Sequence, residues 1–158
     1  MKIRILKNTE IKILDRLLYE AIFIPEGIEK PSFDIIKIPE LQVFINDFGN
    51  KKDDYCLVAE NEGKIVGGVW VRIISGEIKG FGYVDDETPE FAISLFEEYR
   101  NQGIGTKLML VMIDYLRNKK YKQCSLAVQK ANYAVKMYQN IGFKIIKEKE
   151  EEFLMLLK

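Results

Sequence analysis

The distribution of apolar and polar residues along the chain first predicts a group of β-strands. Lys2–Leu6 alternates polar and apolar residues, which is typical of a strand with one buried face. Tyr55–Ala59 and Ile65–Ile74 are rich in β-branched and aromatic residues, and the turn sequence Glu60–Gly63 separates them. We therefore expect one strand near the N-terminus and a β-hairpin further along the chain.

Apolar residues at helical spacing predict the helices between these strands. One helix runs from about Glu10 to Ala21, and a short one follows from about Pro39 to Asp47. A long helix begins after Gly103 and is apolar on more than one side. A further short helix lies within Asn132–Gly142, because asparagine is a common N-cap and glycine commonly ends helices.

Four later apolar segments complete the predicted sheet. These strands are Glu90–Phe96, Cys124–Val128, Phe143–Ile146 and Phe153–Leu157. The charge run Glu148–Glu152 is predicted to be a solvated turn between the last two. The order β-α-α-β-β-β-α-β-α-β-β predicts a mixed sheet with helices on both faces, which is an α/β (α+β) architecture.

The composition indicates a soluble globular protein. The chain has 158 residues, and we expect residues 1–158 to form one domain with its own core. The 24 Lys and Arg residues balance the 24 Asp and Glu residues, so no net field favours nucleic acid. No apolar run approaches the roughly 20 residues that span a bilayer, so we expect no membrane partner.

The histidine and cysteine content restricts the chemistry. The chain has no histidine, which excludes Ser-His-Asp and Cys-His hydrolase mechanisms and the usual zinc sites, so no metal is expected. A general base would be Asp, Glu, Tyr, Lys or a water relay. Cys56 and Cys124 lie inside apolar strands, where we expect buried free thiols in a reducing cytoplasm.

The strongest functional signal lies between the strand Glu90–Phe96 and the long helix. There the chain reads Arg100-Asn-Gln-Gly103-Ile-Gly105-Thr106. Backbone N–H groups at a helix start lack intrahelical partners and lie at the positive end of the macrodipole. Glycines allow a phosphate to approach these groups, so the segment predicts a pyrophosphate-binding cradle.

Two other phosphate-binding motifs do not match this segment. A P-loop requires Gly-x-x-x-x-Gly-Lys-Ser/Thr, whereas Gly103-Ile-Gly105-Thr-Lys107 has a different spacing and order. The dinucleotide fingerprint requires a third Gly or Ala where this chain has Leu108, and no acidic ribose ligand is evident. The cradle is therefore not expected to hold a nucleoside triphosphate or NAD.

The cradle matches a signature of a known superfamily. Arg100-x-x-Gly103-x-Gly105 fits the [Gln/Arg]-x-x-Gly-x-[Gly/Ala] pattern of the GNAT-type N-acetyltransferases. Asn132–Phe143 resembles the same family's Asn-x-x-Ala-x-x-Leu-Tyr-x-x-x-Gly-Phe pattern, and the resemblance is closest over Ile93–Phe143. It implies a GNAT-like fold, in which a central mixed sheet splays apart, and acetyl-CoA as the acyl-donor co-substrate.

The resemblance also implies which residues bind the donor. Backbone groups around Ile93 and Leu95, on the splayed strand, would pair with the pantetheine amides. The N–H of Leu95 would stabilise the oxyanion. Asn132 would either contact the cofactor or only cap its helix. The pyrophosphate would lie against Arg100, Asn101, Gln102, Gly103, Ile104, Gly105 and Thr106.

Two catalytic roles follow from the resemblance. Tyr138 would act as general acid toward the departing thiolate, since a phenol pKa near ~10 is close to that of a thiol. The structural alternative is a tyrosine that only packs against the sheet. Glu90 is the expected general base. Asp85, Asp86 and Glu87 are alternatives that could relay a proton through water, although a solvated acidic turn also explains them.

The acceptor is predicted from the N-terminal half of the chain. In the family this half forms the wall of the acceptor site. The residues that this assigns to the wall here are Phe23, Pro25, Trp70, Phe81 and Tyr83. Trp70 and Phe81 are equally compatible with ordinary core positions. Ala127 stands where members that acetylate peptide N-termini carry a glutamate, which favours a small-molecule amine over a peptide N-terminus or a lysine.

The predicted reaction is the transfer of an acetyl group from acetyl-CoA to a primary amine by direct attack in a ternary complex. No covalent relay is expected, because Cys124 lacks a base partner. The alternative is a non-catalytic acyl-CoA-binding module. The expected partners are a small-molecule or protein amine, and a homodimer is one expected assembly.

Overall fold

The computed structural model describes all 158 residues, Met1–Lys158. The strands are β1 (Lys2–Ile5), β2 (Tyr55–Asn61), β3 (Lys64–Arg72), β4 (Glu90–Leu95), β5 (Cys124–Gln129), β6 (Lys144–Glu148) and β7 (Glu152–Leu157). The helices are α1 (Ile13–Ala21), α2 (Pro39–Gln42), α3 (Ile104–Asn118) and α4 (Ala134–Ile141). None of them combines the length and apolar character needed to cross a membrane. The predicted order and fold class are confirmed.

The strands form one mixed sheet that is split near its centre. The strand order is β1-β2-β3-β4-β5-β7-β6, and only β4 and β5 run parallel to each other. Their pairing is limited to Glu90 opposite Ser125. Beyond this pair the two strands separate, and the splay predicted around Ile93 and Leu95 is present.

Two hydrophobic cores cover the two faces of the sheet. Leu108 and Met112 of α3 belong to the core on one face. Leu17 of α1 and Trp70 of β3 belong to the core on the other, and the Trp70 indole N–H donates to the Phe44 carbonyl at 3.1 Å. Trp70 is 1% exposed, so the structure places it in this core instead of in the acceptor wall predicted for it.

The N-terminal helices are shorter than the sequence predicts. Asn8–Glu10 forms a 3-10 turn instead of the first turn of α1, because Glu10 accepts two hydrogen bonds from Arg4, at 2.9 and 2.8 Å. Turns follow α2 over the rest of the predicted Pro39–Asp47 helix, and Asp47 itself adopts a left-handed φ of 52°. Irregular backbone therefore connects α2 to β2.

A buried ion pair fixes this irregular segment to the sheet. Two nitrogens of Arg72 donate to the two carboxylate oxygens of Asp54 at 2.9 and 2.8 Å. The side chains are only 1% and 0% exposed. The remaining terminal nitrogen of Arg72 donates to the carbonyls of Val43 and Asn46. Bidentate pairing and these additional acceptors compensate the desolvation of the guanidinium.

Replacing Asp54 with asparagine should destabilise the fold strongly. The guanidinium of Arg72 would remain buried without a counterion, so the free energy of unfolding should fall by about 3–5 kcal/mol. Urea denaturation measures this change. The control is Asp34→Asn, which removes the exposed Lys37–Asp34 pair and should leave stability nearly unchanged. An equally small effect at both positions would contradict the stabilising role of the buried pair.

Candidate active site

The loop between β4 and α3 presents a run of unpaired backbone N–H groups. Asn101 and Gly103 adopt left-handed φ angles of 63° and 82°. The first backbone hydrogen bond at the start of α3 runs from the Lys107 N–H to the Gly103 carbonyl, and the N–H groups from Asn101 to Thr106 have no partner in the chain. Alternating backbone conformations of this kind form concave anion sites, and here the site lies at the positive end of a helix.

Arg100 fastens this loop to its neighbours. Its Nε donates to the Leu95 carbonyl at 3.0 Å, and one terminal nitrogen lies 3.3 Å from both the carbonyl and the carboxylate of Glu20. The end of β4, the loop and the end of α1 are therefore held together. The Arg100 side chain is still 35% exposed, and its predicted contact with a phosphate stays a prediction.

A large cleft begins at this loop and reaches the split in the sheet. Its volume is about 620 Å³, and its walls include the end of α1 with the segment that follows it. The sequence-predicted residues that line it are Phe23, Pro25, Ile93, Leu95, Arg100, Asn101, Gly103, Gly105, Thr106, Asn132 and Tyr138. Gln102 and Ile104 do not line it. The Gln102 side chain bonds to the Glu98 carbonyl at 3.0 Å, and Ile104 is buried in the core.

Backbone groups of β4 face the split. The N–H of Phe96 donates to the Val66 carbonyl of β3 at 2.9 Å. Because successive N–H groups of a strand point in opposite directions, those of Leu95 and Ile93 point away from β3 and toward the split. The Leu95 carbonyl already accepts a hydrogen bond from Arg100, whereas the Leu95 N–H stays available to an extended ligand.

A second, smaller cavity lies on the α1 face of the sheet and meets the large cleft. Its volume is about 260 Å³, and most of its lining is apolar. The residues that line both spaces are Ala21, Ile22, Phe23, Ile93, Asn132 and Tyr138. Two ligands, one in each space, would therefore come together at the split between β4 and β5.

Tyr138 lies at this junction. Its ring is 7% exposed and packs edge-on against Phe143, with centroids 6.0 Å apart. The hydroxyl forms no hydrogen bond within the chain. Burial raises the pKa of the Tyr138 phenol above its ordinary value, so the hydroxyl keeps its proton at neutral pH and is available as a donor.

Glu90 places a buried carboxyl group in the smaller cavity. The residue is 3% exposed, one oxygen accepts the Gly82 N–H at 2.9 Å, and the other has no partner. Burial raises the Glu90 pKa to about 7, opposed by the bond from Gly82. The group therefore titrates near neutral pH, where a general base is most effective.

The surroundings explain why Glu90 lacks a counterion. Arg72 lies directly opposite Glu90 in the β3–β4 register, but its guanidinium is committed to Asp54 and to backbone carbonyls. Gly80 lies against the carboxyl group, and a Cβ there would be 1.8 Å from the unpaired oxygen. The loop therefore covers Glu90 closely without neutralising its charge.

The acidic turn before Glu90 lies outside both spaces. Asp85 accepts bonds from the Glu87 N–H and the Thr88 hydroxyl at 2.9 and 2.7 Å. Asp86 accepts a bond from the Tyr83 hydroxyl. None of these residues lines the cleft or the smaller cavity. The structure therefore does not bring Tyr83 to the acceptor wall predicted for it, and of the acidic candidates it brings only Glu90 to the site.

Asn132 fills one of the two roles left open by the sequence. Its side-chain oxygen accepts the Ala134 N–H at 2.9 Å, which satisfies a free amide at the start of α4. The same residue lines both the large cleft and the smaller cavity. It therefore caps the helix, and contact with a cofactor stays a prediction.

Sequence reasoning missed Glu152. The residue was expected in a solvated turn, but it is the first residue of β7, pairs with Gln129 and lines the smaller cavity. Lys149 lies 3.4 Å from its carboxylate. The feature of the sequence that could have revealed this position is the period-two pattern of Glu152, Leu154 and Leu156, which places all three residues on one face of the strand.

Phe81, which is predicted for the acceptor wall, stacks on Phe44, a residue that sequence reasoning did not connect with the site. Their centroids lie 5.7 Å apart, and both residues line the smaller cavity. They are separated by two strands and several turns in the sequence, so only the folded chain brings them together.

Known proteins share this architecture and parts of this sequence. Residues 21–143 match the family model described as Acetyltransferase (GNAT) family. The chain is 33% identical over 96 residues to the probable N-acetyltransferase camello of Xenopus laevis, a match that covers 58% of this chain and 40% of that protein. It is 31% identical over 125 residues to the thialysine N-epsilon-acetyltransferase of Mus musculus, covering 73% and 70%. The chain thus spans about two fifths of the length of camello.

Solved structures agree with this match. The PaiA N-acetyltransferase of Thermoplasma acidophilum, in complex with coenzyme A, superposes with a TM-score of 0.70 at 23% identity, covering 100% of this chain and 99% of that one. The putative acetyltransferase YncA of Salmonella typhimurium, with acetyl-CoA, gives 0.67 at 16% identity, covering 100% and 93%. At these identities the likeness concerns the fold. The family match over residues 21–143 shows more, namely that this chain belongs to the acetyltransferase (GNAT) family.

Proposed function

We propose that this protein, acting as one domain, transfers the acetyl group of acetyl-CoA to a primary amine by direct attack in a ternary complex. The observation that carries the proposal is the meeting of two spaces at Tyr138. One contains the phosphate cradle, and the other contains the buried carboxyl group of Glu90. A donor and an acceptor held in these spaces would be in reach of each other without a covalent relay.

The large cleft fits coenzyme A. The free N–H groups from Asn101 to Thr106 suit a pyrophosphate, and the Leu95 N–H on the open side of β4 suits an amide or thioester carbonyl. Two structural neighbours were solved with coenzyme A or acetyl-CoA. Bound there, the co-substrate supplies an acetyl group as a thioester.

The residues at the junction account for the proton movements. Glu90 removes a proton from the acceptor ammonium, directly or through a water molecule, which leaves a neutral amine. The amine nitrogen forms a bond to the acetyl carbon while the carbon–sulfur bond breaks. Tyr138 gives its proton to the sulfur, and the second proton that leaves the nitrogen restores the phenol. The products are therefore an acetamide and free coenzyme A, with the first proton held by Glu90. The Leu95 N–H stabilises the charge that develops on the carbonyl oxygen.

A covalent relay through cysteine has no support. Burial raises the pKa of the Cys124 thiol to about 12, so the thiol stays protonated and unreactive at neutral pH. Cys56 is also free and buried. Two buried, unpaired cysteines are consistent with a reducing cytoplasm, which we propose as the location.

The smaller cavity favours a small-molecule amine over a lysine side chain or a peptide N-terminus. Its volume of about 260 Å³ and its mainly apolar walls suit a short aliphatic amine, and Ala127 is part of the lining. The mouse relative is named for acting on thialysine, which is also a small amine.

Removal of the Tyr138 hydroxyl should slow the chemical step. In Tyr138→Phe we expect kcat to fall by about 10²-fold, because the thiolate would leave without a proton donor. The Kd for acetyl-CoA should stay within about twofold. Coenzyme A release over a panel of amines measures turnover, and calorimetry measures binding.

The control is Tyr115→Phe, which removes a hydroxyl on α3 that forms no hydrogen bond within the chain and should leave kcat unchanged. Wild-type kcat in Tyr138→Phe would exclude the proposed acid. Tight acetyl-CoA binding by the parent protein, without turnover of any amine, would favour a non-catalytic acyl-CoA-binding module.

The pH dependence of kcat/KM should show the ionisation of Glu90. Its carboxylate form is the base, so kcat/KM should rise with pH through an apparent pKa of about 7. In Glu90→Gln this ionisation should disappear and only that of the acceptor amine should remain. The same amine used with both proteins controls for its own titration. An unchanged limb near pH 7 in the variant would assign the base elsewhere.

The left-handed backbone of Gly103 should matter for donor binding. In Gly103→Ala the left-handed φ of 82° costs about 1–2 kcal/mol, so the loop relaxes and turns its N–H groups away. We expect the Kd for acetyl-CoA to rise by about tenfold. The matched control is Gly63→Ala, because Gly63 has a similar φ of 79°, lies in the distant β2–β3 turn and has open space around it. Equal affinities of the two variants would argue against the cradle.

A further inference from the structure

We propose that the acceptor is a diamine, a primary amine that carries a second cationic group at the other end of an aliphatic chain, and that Glu152 is the residue that holds the second cation. The inference rests on the proposed function, because it names the acceptor of that same site. Glu90 serves the reacting amine, and Glu152 determines specificity.

The charge of the smaller cavity selects a cation. Glu90 and Glu152 line it, while no lysine or arginine does. The chain as a whole carries as many basic as acidic residues, so this one-sided lining is a local property. Acidic groups between low-dielectric walls concentrate a negative potential and raise the local concentration of cations.

An unpaired buried oxygen points to a ligand in this cavity. One oxygen of Glu90 accepts no hydrogen bond, although the residue is only 3% exposed. Buried polar atoms are nearly always paired, so the carboxyl group keeps an acceptor site that the chain does not use. Gly80 packs against this oxygen, and an amine nitrogen or a water molecule bound beside Glu90 would supply the missing donor.

The separation of the two carboxyl groups suits a ligand with cations at both ends. Glu90 pairs with Ser125 and Glu152 pairs with Gln129, so the two residues differ by four positions along β5. Four residues of a strand span about 13 Å, and the two strand spacings between β4 and β7 add about 9–10 Å across the sheet. The two glutamate side chains shorten the resulting separation, because both residues line one cavity. Apolar residues line the cavity between them, including Ala92. A chain of methylene groups with an ammonium at each end matches this sequence of polar, apolar and polar surfaces.

The two carboxyl groups also differ in depth. Glu90 is nearly inaccessible, whereas the Glu152 side chain is 20% exposed and lies nearer to solvent. The Lys149 ammonium is 3.4 Å from one Glu152 oxygen, and its side chain is 42% exposed. Such an exposed pair is weak, so a ligand ammonium can replace Lys149 at little cost. Phe44 and Phe81 add aromatic faces on which a cation can lie.

Two matched pairs of acceptors test the inference. With saturating acetyl-CoA, kcat/KM is measured for 1,4-diaminobutane and 1,6-diaminohexane, and for the amino alcohols of equal length, in which a hydroxyl replaces one amine. We expect the better diamine to exceed its amino alcohol by at least about tenfold, because a hydrogen bond to a charged group is worth more than one between neutral groups.

The variant Glu152→Gln should remove this preference. The KM for the diamine should rise by about tenfold, while the kcat and the amino-alcohol kinetics stay within about twofold. Glu151→Gln is the control, because it removes one carboxylate from the exposed turn immediately before β7 and should keep the preference. Rates that fall equally for both acceptors in Glu152→Gln would show a merely structural role and overturn the inference.

Failure of the inference and failure of the proposed function are distinguishable. Acetylation of diamines and amino alcohols with equal kcat/KM would overturn the inference and leave the acetyltransferase function in place. If no amine is acetylated, the proposed function fails, and calorimetric binding to the coenzyme A-loaded chain decides the inference. Binding of the diamine that weakens by about tenfold in Glu152→Gln supports it. Absence of diamine binding, or binding unaffected by Glu152→Gln, overturns it.

Discussion

The separation of β4 from β5 is the constraint on which the rest of the site depends. The two parallel strands pair only at Glu90 and Ser125, so backbone groups of β4 beyond that point are left without a strand partner. In a closed sheet the Leu95 N–H would bond to a neighbouring strand, and the two spaces would not meet at the split. The split exposes that N–H and lets the large cleft reach the smaller cavity beside Tyr138. Ligands held in the two spaces can therefore come together.

The electrostatics of the smaller cavity depend on a second constraint, which is the ion pair of Arg72 with Asp54. A free guanidinium opposite Glu90 would stabilise its carboxylate and lower its pKa. The buried pair with Asp54 instead keeps the guanidinium bonded to the segment after α2, and that segment also carries the wall residue Phe44. One ion pair thus fixes the wall of the cavity and leaves the carboxyl group of Glu90 titrating near neutrality. Stability and chemistry are connected through the same residue.

The backbone of the phosphate cradle was largely predictable from the sequence, and the smaller cavity was not. The cradle is local: Gly103 and its neighbours determine the backbone conformation, and the following helix supplies the dipole. The smaller cavity instead depends on contacts between segments that are distant in the sequence, such as the stacking of Phe44 on Phe81. Trp70 is an example, because an aromatic residue on a strand can face either a core or a cavity, and the sequence does not distinguish these two positions. Glu152 was not predicted to lie in a strand because it ends a run of charged residues, which gives no hydrophobic signal for the start of β7.

The central claim is that acetyl transfer occurs directly between two substrates that meet at the split. Initial-rate kinetics with both acetyl-CoA and the amine varied test it most directly, supported by mass spectrometry of the protein after incubation with acetyl-CoA alone. A ternary complex predicts double-reciprocal lines that intersect, and a protein mass that does not change. Parallel lines, together with an acetylated residue on the chain that transfers its group to added amine, would contradict the account.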